Sequence, residues 1–279
     1  MARPKRQKDL KEALNRPKKI NEILSEQIDT ALVEHRRSRP ELLLSSFSAG
    51  LELGFSIFLM STLYTMFGGS LSDANMHVLL ALAYPLGFIF VLIGKSELFT
   101  EHTTLAVIPV LNRDESLKNL LSLWGIIYSG NLLGGFVFSI LLVTLPVQME
   151  IISGHALESL ALNLIEHPWY IILGSGILAG WLMGLLSWLV TSSQETMSRI
   201  FIIILVTSVI GIGTLHHSIV GSIEIFAAML ISDKIGIVNY LVPQLWSTIG
   251  NIVGGVVFVA LIKFSHVKTT HKITKKDAE

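Results

Sequence analysis

The chain has 279 residues, 51% of them hydrophobic and only 15% charged, with a mean hydropathy of +0.61. A soluble domain carries about 25% charged residues, so this chain has too little charged surface to face water on all sides. A soluble enzyme, a nucleic-acid binder and a disordered chain are therefore excluded, and the lack of cysteine removes disulfides, thiolate chemistry and Cys-based metal sites.

The first 40 residues are basic and contain no continuous apolar core, which separates them from a cleavable signal peptide. Ile20, Ile23, Leu24, Ile28 and Leu32 recur at helical spacing. That pattern fits a cytoplasmic amphipathic helix lying on an anionic leaflet or packed on a neighbouring subunit, and equally a solvated basic tail. Six apolar stretches follow. A hydrocarbon core of about 30 Å needs about 20 apolar residues as a helix, and each stretch meets or approaches that length. They cover residues 42–67, 78–94, 120–147, 170–190, 200–215 and 241–262. The second runs into Lys95, Glu97, Glu101 and His102 and resumes over 105–111; the fifth stops at His216 and His217 and resumes over 219–231.

This reads as an all-α membrane protein with a cytoplasmic N-terminal segment over 1–40, a transmembrane domain over 41–264 and a basic cytoplasmic tail over 265–279. Of the 21 Lys and Arg, 19 fall on one side of such a six-span chain, while Lys234 alone lies on the other and Lys95 within a span. The positive-inside rule then places both termini in the cytoplasm, as an even number of spans requires.

An internal repeat adds the most information. Gly130, Asn131, Gly134, Gly135 and Phe138 recur as Gly250, Asn251, Gly254, Gly255 and Phe258, at a constant offset of 120 residues. At the same offset Glu97 falls on His217. Three helices separate the copies, so the second is inverted in the membrane: six helices form a 3+3 inverted repeat, with halves over about 41–147 and 168–264 and helices two and five broken. Inverted halves broken at matching positions mark a transport pathway at the repeat interface, and the Gly-Gly pairs suit close helix packing.

The breaks follow from length. Residues 79–93 make 15 residues of helix, about 22 Å, too short to cross, and residues 200–215 are similarly short. Backbone freed at such breaks is tolerated where protein buries it or water reaches it, so the breaks are expected to line a cavity near the midplane. The re-entering halves would begin near Thr103, Thr104 and Ser218, with N-terminal ends that favour an anion.

Ionisable residues at membrane depth are Glu52, Lys95, Glu97, Glu101, His102, His216, His217 and Glu224; each is costly there and a functional candidate. Glu52 has a plainer reading as a residue facing a polar gap or pairing with Lys95, and Lys95, Glu101, His102 and Glu224 as residues reaching an interface. His216 and His217 stand in the discontinuity itself, where proton exchange outweighs a satisfied core role. Adjacent helix positions diverge, so one of the two faces the pore. They lack the i, i+4 spacing of helix-borne metal ligands, and no nucleophile-elbow, Walker or zincin motif is present, so neither a metal nor a cofactor nor an enzyme is expected.

Four features together resemble the formate/nitrite transporter family across residues 20–265. They are Glu97-Leu98-Phe99-Thr100, His217-Ser218-Ile219, Gly176-Ile177-Leu178-Ala179 and the Gly-Asn-x-x-Gly-Gly repeat. The resemblance implies an aquaporin-like six-helix protomer in a bacterial inner membrane, assembling as a homopentamer with one pore per subunit. It implies a small-anion substrate such as formate, nitrite, acetate or hydrosulfide, and no nucleic-acid partner. The family's central histidine carries over to His217, its solute-touching loop residues to Leu98, Phe99 and Thr100, and its apolar constriction to Tyr84, Phe88, Met183 and Ile210. The departures point to the YfdC-type branch. His216 stands where the family has an acid, Gly180 and Gly221 replace asparagines, the vestibule lysine has no match, and Lys95 occupies a small residue's place. The expected function is proton-linked conduction of a weak-acid anion through His217, with Lys95 as a substitute cationic attractor. A pore for a neutral solute such as water, glycerol or ammonia and a non-conducting membrane scaffold are the alternatives.

Overall fold

A computed structural model of the chain describes residues 16–266, which are helical apart from short connections and contain no strand. In chain order the helices are α1 (Ile20–Arg36), α2 (Arg39–Phe67), α3 (Asp73–Ala83), α4 (Pro85–Gly94), α5 (Phe99–Leu105), α6 (Ile108–Asn112), α7 (Leu117–Thr144), α8 (Gly154–Ile165), α9 (Trp169–Ser192), α10 (Thr196–Ile212), α11 (Ser218–Met229) and α12 (Ile237–Gly255). A π-helical turn, Val256–Leu261, continues α12. Among the described residues, five runs are long and apolar enough to cross a membrane: α2, α3 joined to α4, α7, α9 and α12 with its extension, while α10 and α11 are shorter.

Residues 42–67 begin a little late, because Ser38 caps α2 in a box with Glu41. The second stretch starts at Asp73, where the Ser72 hydroxyl accepts from Asn75 N–H. The resulting 22-residue run Asp73–Gly94 is about 33 Å long, so the expectation that it is too short to cross is corrected. Its break lies beyond Gly94, where Lys95 takes a left-handed conformation (φ 59°) and helix resumes only at Phe99. The re-entering half thus begins four residues before Thr103. The second break runs from Gly213 to His217, and α11 starts at Ser218 as expected. Helix α8 was not foreseen. Ser153 caps it, and its buried face, Ala156, Leu157, Leu160, Ala161 and Leu164, packs on α11.

Two long helix pairs frame the molecule, α2 with α7 and α9 with α12. Glycine makes the close approach possible: a Cβ on Gly134 would stand 2.0 Å from the Phe47 carbonyl oxygen, and one on Gly254 2.2 Å from that of Ile177. Helix α1 forms at the predicted place, burying Ile23 and Leu24 against its own chain, on α5, α6 and the end of α9. Lys18 Nζ donates to the Thr191 carbonyl at 2.6 Å, and His35 Nε2 bonds that of Ala106 at 3.1 Å. The solvated-tail reading is thereby set aside for α1. The basic stretches before residue 16 and after residue 266 lie outside the described residues.

Candidate functional site

The two breaks are held by one device used twice. Asn131 of α7 is fully buried; its Oδ1 accepts from Phe99 N–H at 2.8 Å, and its Nδ2 donates to the carbonyls of Glu97 and Ser46, both at 2.8 Å. Asn251 of α12 is equally buried; its Oδ1 accepts from Ser218 N–H, and its Nδ2 donates to the carbonyls of His216 and Gly176, all at 2.9 Å. Each amide therefore pairs the first free N–H of a re-entering helix and an orphaned loop carbonyl, groups that burial without a partner would penalise. The hydrogen bonds also correct the register. Glu97 corresponds to His216, and Leu98 corresponds to His217, both N-caps.

The breaks meet at Thr100 and His217. Thr100 Oγ1 and His217 Nε2 are 2.8 Å apart, and both residues are buried. His217 Nδ1 accepts from Val220 N–H at 3.3 Å, so in the neutral ring the proton sits on Nε2, directed at the threonine hydroxyl. The Phe88 ring stands edge-on to the imidazole, 5.1 Å between centroids, with Tyr84 5.3 Å behind it. A cavity of about 70 Å³ reaches His217 on the side of the molecule that carries α8. Tyr84, Ile210 and His217 line it, together with His77, Asn163, Gly221 and Glu224, which were not among the candidate pore residues. Phe88, Leu98, Phe99, Thr100 and Met183 are buried and do not line this cavity.

His216 points elsewhere and does not line this cavity. Its Nε2 donates to the Leu164 carbonyl at 2.9 Å, and its Nδ1 bonds the Ser175 hydroxyl at 2.9 Å. Phe99 packs edge-on to Trp124 and Tyr128. Lys95 is exposed at the break on the α1 side, away from the cavity. Glu52 accepts from Ser48 and Ser96 hydroxyls at 2.8 and 2.9 Å, rather than pairing with Lys95. Glu97 turns to α1 and its own loop, bonded to Arg37 at 2.8 Å and to His102. Glu101 takes a 3.4 Å contact from the Ser187 hydroxyl.

The two glycine departures separate in space. Gly221 lines the cavity, with the nearest atom to a built Cβ being Leu164 Cδ1 at 3.6 Å. Gly180 is a helix contact: its Cβ would lie 2.3 Å from the Asn251 carbonyl oxygen. The sequence signal for the cradle is the asparagine of the Gly-Asn-x-x-Gly-Gly repeat, a polar side chain recurring at one place in two apolar helices. No group of three or more His, Asp or Glu suited to a metal occurs among the described residues.

A sequence profile described as formate/nitrite transporter matches residues 21–265. The inner membrane protein YfdC of Escherichia coli is 27% identical over 238 residues, covering 84% of this chain and 74% of that protein. The nitrite transporter NirC of Salmonella typhimurium is 29% identical over 227 residues, covering 78% and 80%. Among solved structures, a pentameric formate channel with formate bound shares the fold, with a TM-score of 0.73 and 21% identity over 82% of this chain and 97% of that one.

Proposed function

Because this chain belongs to the formate/nitrite transporter family, we propose that it carries small monovalent weak-acid anions of the formate and nitrite kind across a bacterial inner membrane. The single observation behind the mechanism is the 2.8 Å contact between buried Thr100 and His217, which lines the cavity. An unpaired anion leaving water for an apolar constriction meets a large desolvation cost, and protonation to the neutral acid removes it. His217 Nε2–H is the proton closest to the constriction, Thr100 Oγ1 is the hydroxyl that orients it, and Val220 N–H fixes the tautomer that presents it. Phe88 and Tyr84 supply the apolar wall.

The same reading includes the architecture. Six spans in a 3+3 inverted repeat, with halves over about 41–147 and 168–264, are supported by the matched bonding of Asn131 and Asn251. Both termini are assigned to the cytoplasm by the charge asymmetry, with the 1–40, 41–264 and 265–279 division as before. The pentameric neighbour supports a homopentamer.

The test is flux in liposomes of formate, nitrite, acetate and hydrosulfide across pH, with water and glycerol as controls. Saturable anion flux accelerated by acid, lost in His217→Ala and in Thr100→Val but retained in Thr100→Ser, is expected. Unchanged flux in His217→Ala refutes the proton-exchange role; conduction of the controls alone establishes the neutral-solute pore instead.

A further inference from the structure

We infer that Glu224 is the proton-loading group of the cavity, so that a monoanion enters together with one proton held on this carboxyl. The inference rests on the transport reading above and adds the residue that couples the anion to the proton.

Glu224 lies two turns beyond His217 on α11. His217, Val220, Gly221 and Glu224 all line the cavity, the spacing of one helix face. Seven residues place the carboxyl about 10 Å along the axis from the histidine. The residue is 6% exposed, and no hydrogen bond reaches its carboxyl among the described residues. Glu97 is matched by Arg37 and His102 and Glu158 by Lys234 and Ser232, whereas Glu52 is matched at Oε1 alone, by two serines, and its buried Oε2 has no partner. A buried carboxyl aimed into a cavity without a partner needs either a proton or a ligand.

The surroundings decide which. From α3 and its end, His77 and Tyr84 face the same cavity, and His77 Nε2 is occupied by the Ile212 carbonyl at 2.7 Å. His217 lines it too, α8 contributes Leu160, Asn163 and Leu164, and α10 contributes Ile210 and Gly211, which are uncharged. On the sides of α11 away from the cavity, α12 presents Tyr240, whose hydroxyl bonds Ser222, and α7 presents Ser139, which donates to the Ile223 carbonyl. Among the described residues, no Lys or Arg lines the cavity. An ionised Glu224 and an anion would be two like charges in one water-poor space, so each excludes the other. A proton on Glu224 removes the repulsion and turns the carboxyl into an O–H donor to the anion. Transfer of that proton gives the neutral acid and the carboxylate, and the carboxylate takes its next proton from the solution outside. Atoms and charge balance, with one proton moved per anion.

The experiment measures formate uptake into liposomes holding the full chain, with KM determined over about pH 6 to 10. Linkage of one proton to one anion raises the wild-type KM up to about tenfold per pH unit above the ionisation of the empty site. In Glu224→Gln, which keeps a donor and loses the charge, the slope of log KM against pH is expected to fall close to zero. An unchanged slope in Glu224→Gln, with wild-type flux intact, overturns this inference and leaves the transport reading standing. Absence of formate and nitrite flux in the wild type at every pH overturns both. A second measurement needs no variant: at a pH above the ionisation of the empty site, formate added to the solubilised wild-type protein in weak buffer should draw about one proton per bound anion, and zero uptake there refutes the coupling.

Discussion

The amide of Asn251 makes a prediction that separates hydrogen bonding from shape. In Asn251→Ala, Ser218 N–H and the His216 carbonyl both lose their partner, while Gly176, inside α9, keeps its intrahelical bond. An unsatisfied buried polar group costs about 1–3 kcal/mol, so two of them cost about 2–6 kcal/mol. Asn251→Asp is nearly the same size, yet it directs a second oxygen at two carbonyl oxygens 2.9 Å from Nδ2. It is therefore expected to destabilise at least as much as the alanine. Thermal unfolding of the solubilised protein followed by tryptophan fluorescence gives the ranking: wild type well above Asn251→Ala, and Asn251→Asp no better than Ala. Asn131→Ala acts on the other break and should add to Asn251→Ala with little coupling. If Asn251→Asp unfolds like the wild type, the cradle argument fails and the asparagine is only filling space.

Two further outcomes follow from packing and charge. Gly254→Ala forces a Cβ to within 2.2 Å of the Ile177 oxygen and 2.6 Å of Trp181 N, an overpacking expected to cost about 1–3 kcal/mol or more. Gly174→Ala, with nothing within 4 Å, should gain about 0.5–1 kcal/mol; equal melting shifts for the two would refute the close-contact reading. On α1, burial pushes the Glu34 carboxyl above the ordinary carboxylate range, and nearby Glu97 pushes it the same way, only partly offset by Arg37. A raised acid contributes docking stability that is full below the unfolded value and is lost as pH rises through the folded one. Hydrogen exchange of the α1 amides, corrected for intrinsic rate, should therefore show weaker protection at about pH 8 than at about pH 5. Glu34→Gln should flatten the difference; a pH dependence that persists in that variant refutes the assignment.

The transmembrane stretches were legible because a hydrocarbon core demands long apolar runs, and the breaks because charged residues and adjacent histidines interrupt them. Helix α8 was not legible: its 12 residues are too few for a span, and its amphipathic face has meaning only against α11. The repeat identified the asparagines but misaligned the loops by one residue, since an offset measured along the helices did not hold through the breaks. That His217 and Thr100 belong to one pore was implied only by resemblance, and their contact was not; the 2.8 Å approach arises because two separate loops are drawn inward by Asn131 and Asn251.

The division has a physical cause. Which segments enter the bilayer is a property of each segment's own transfer from water, additive along the chain and therefore written in its order. Which way a polar side chain points once inside is decided by the neighbours that satisfy it. Read in chain order, Glu97, His216 and Lys95 all stand beside His217 as candidates at the two breaks, with the histidine pair favoured. Tertiary structure turned Glu97 to Arg37 and His102, His216 to Ser175 and Leu164, and left Lys95 exposed, while Glu224 came to face the cavity.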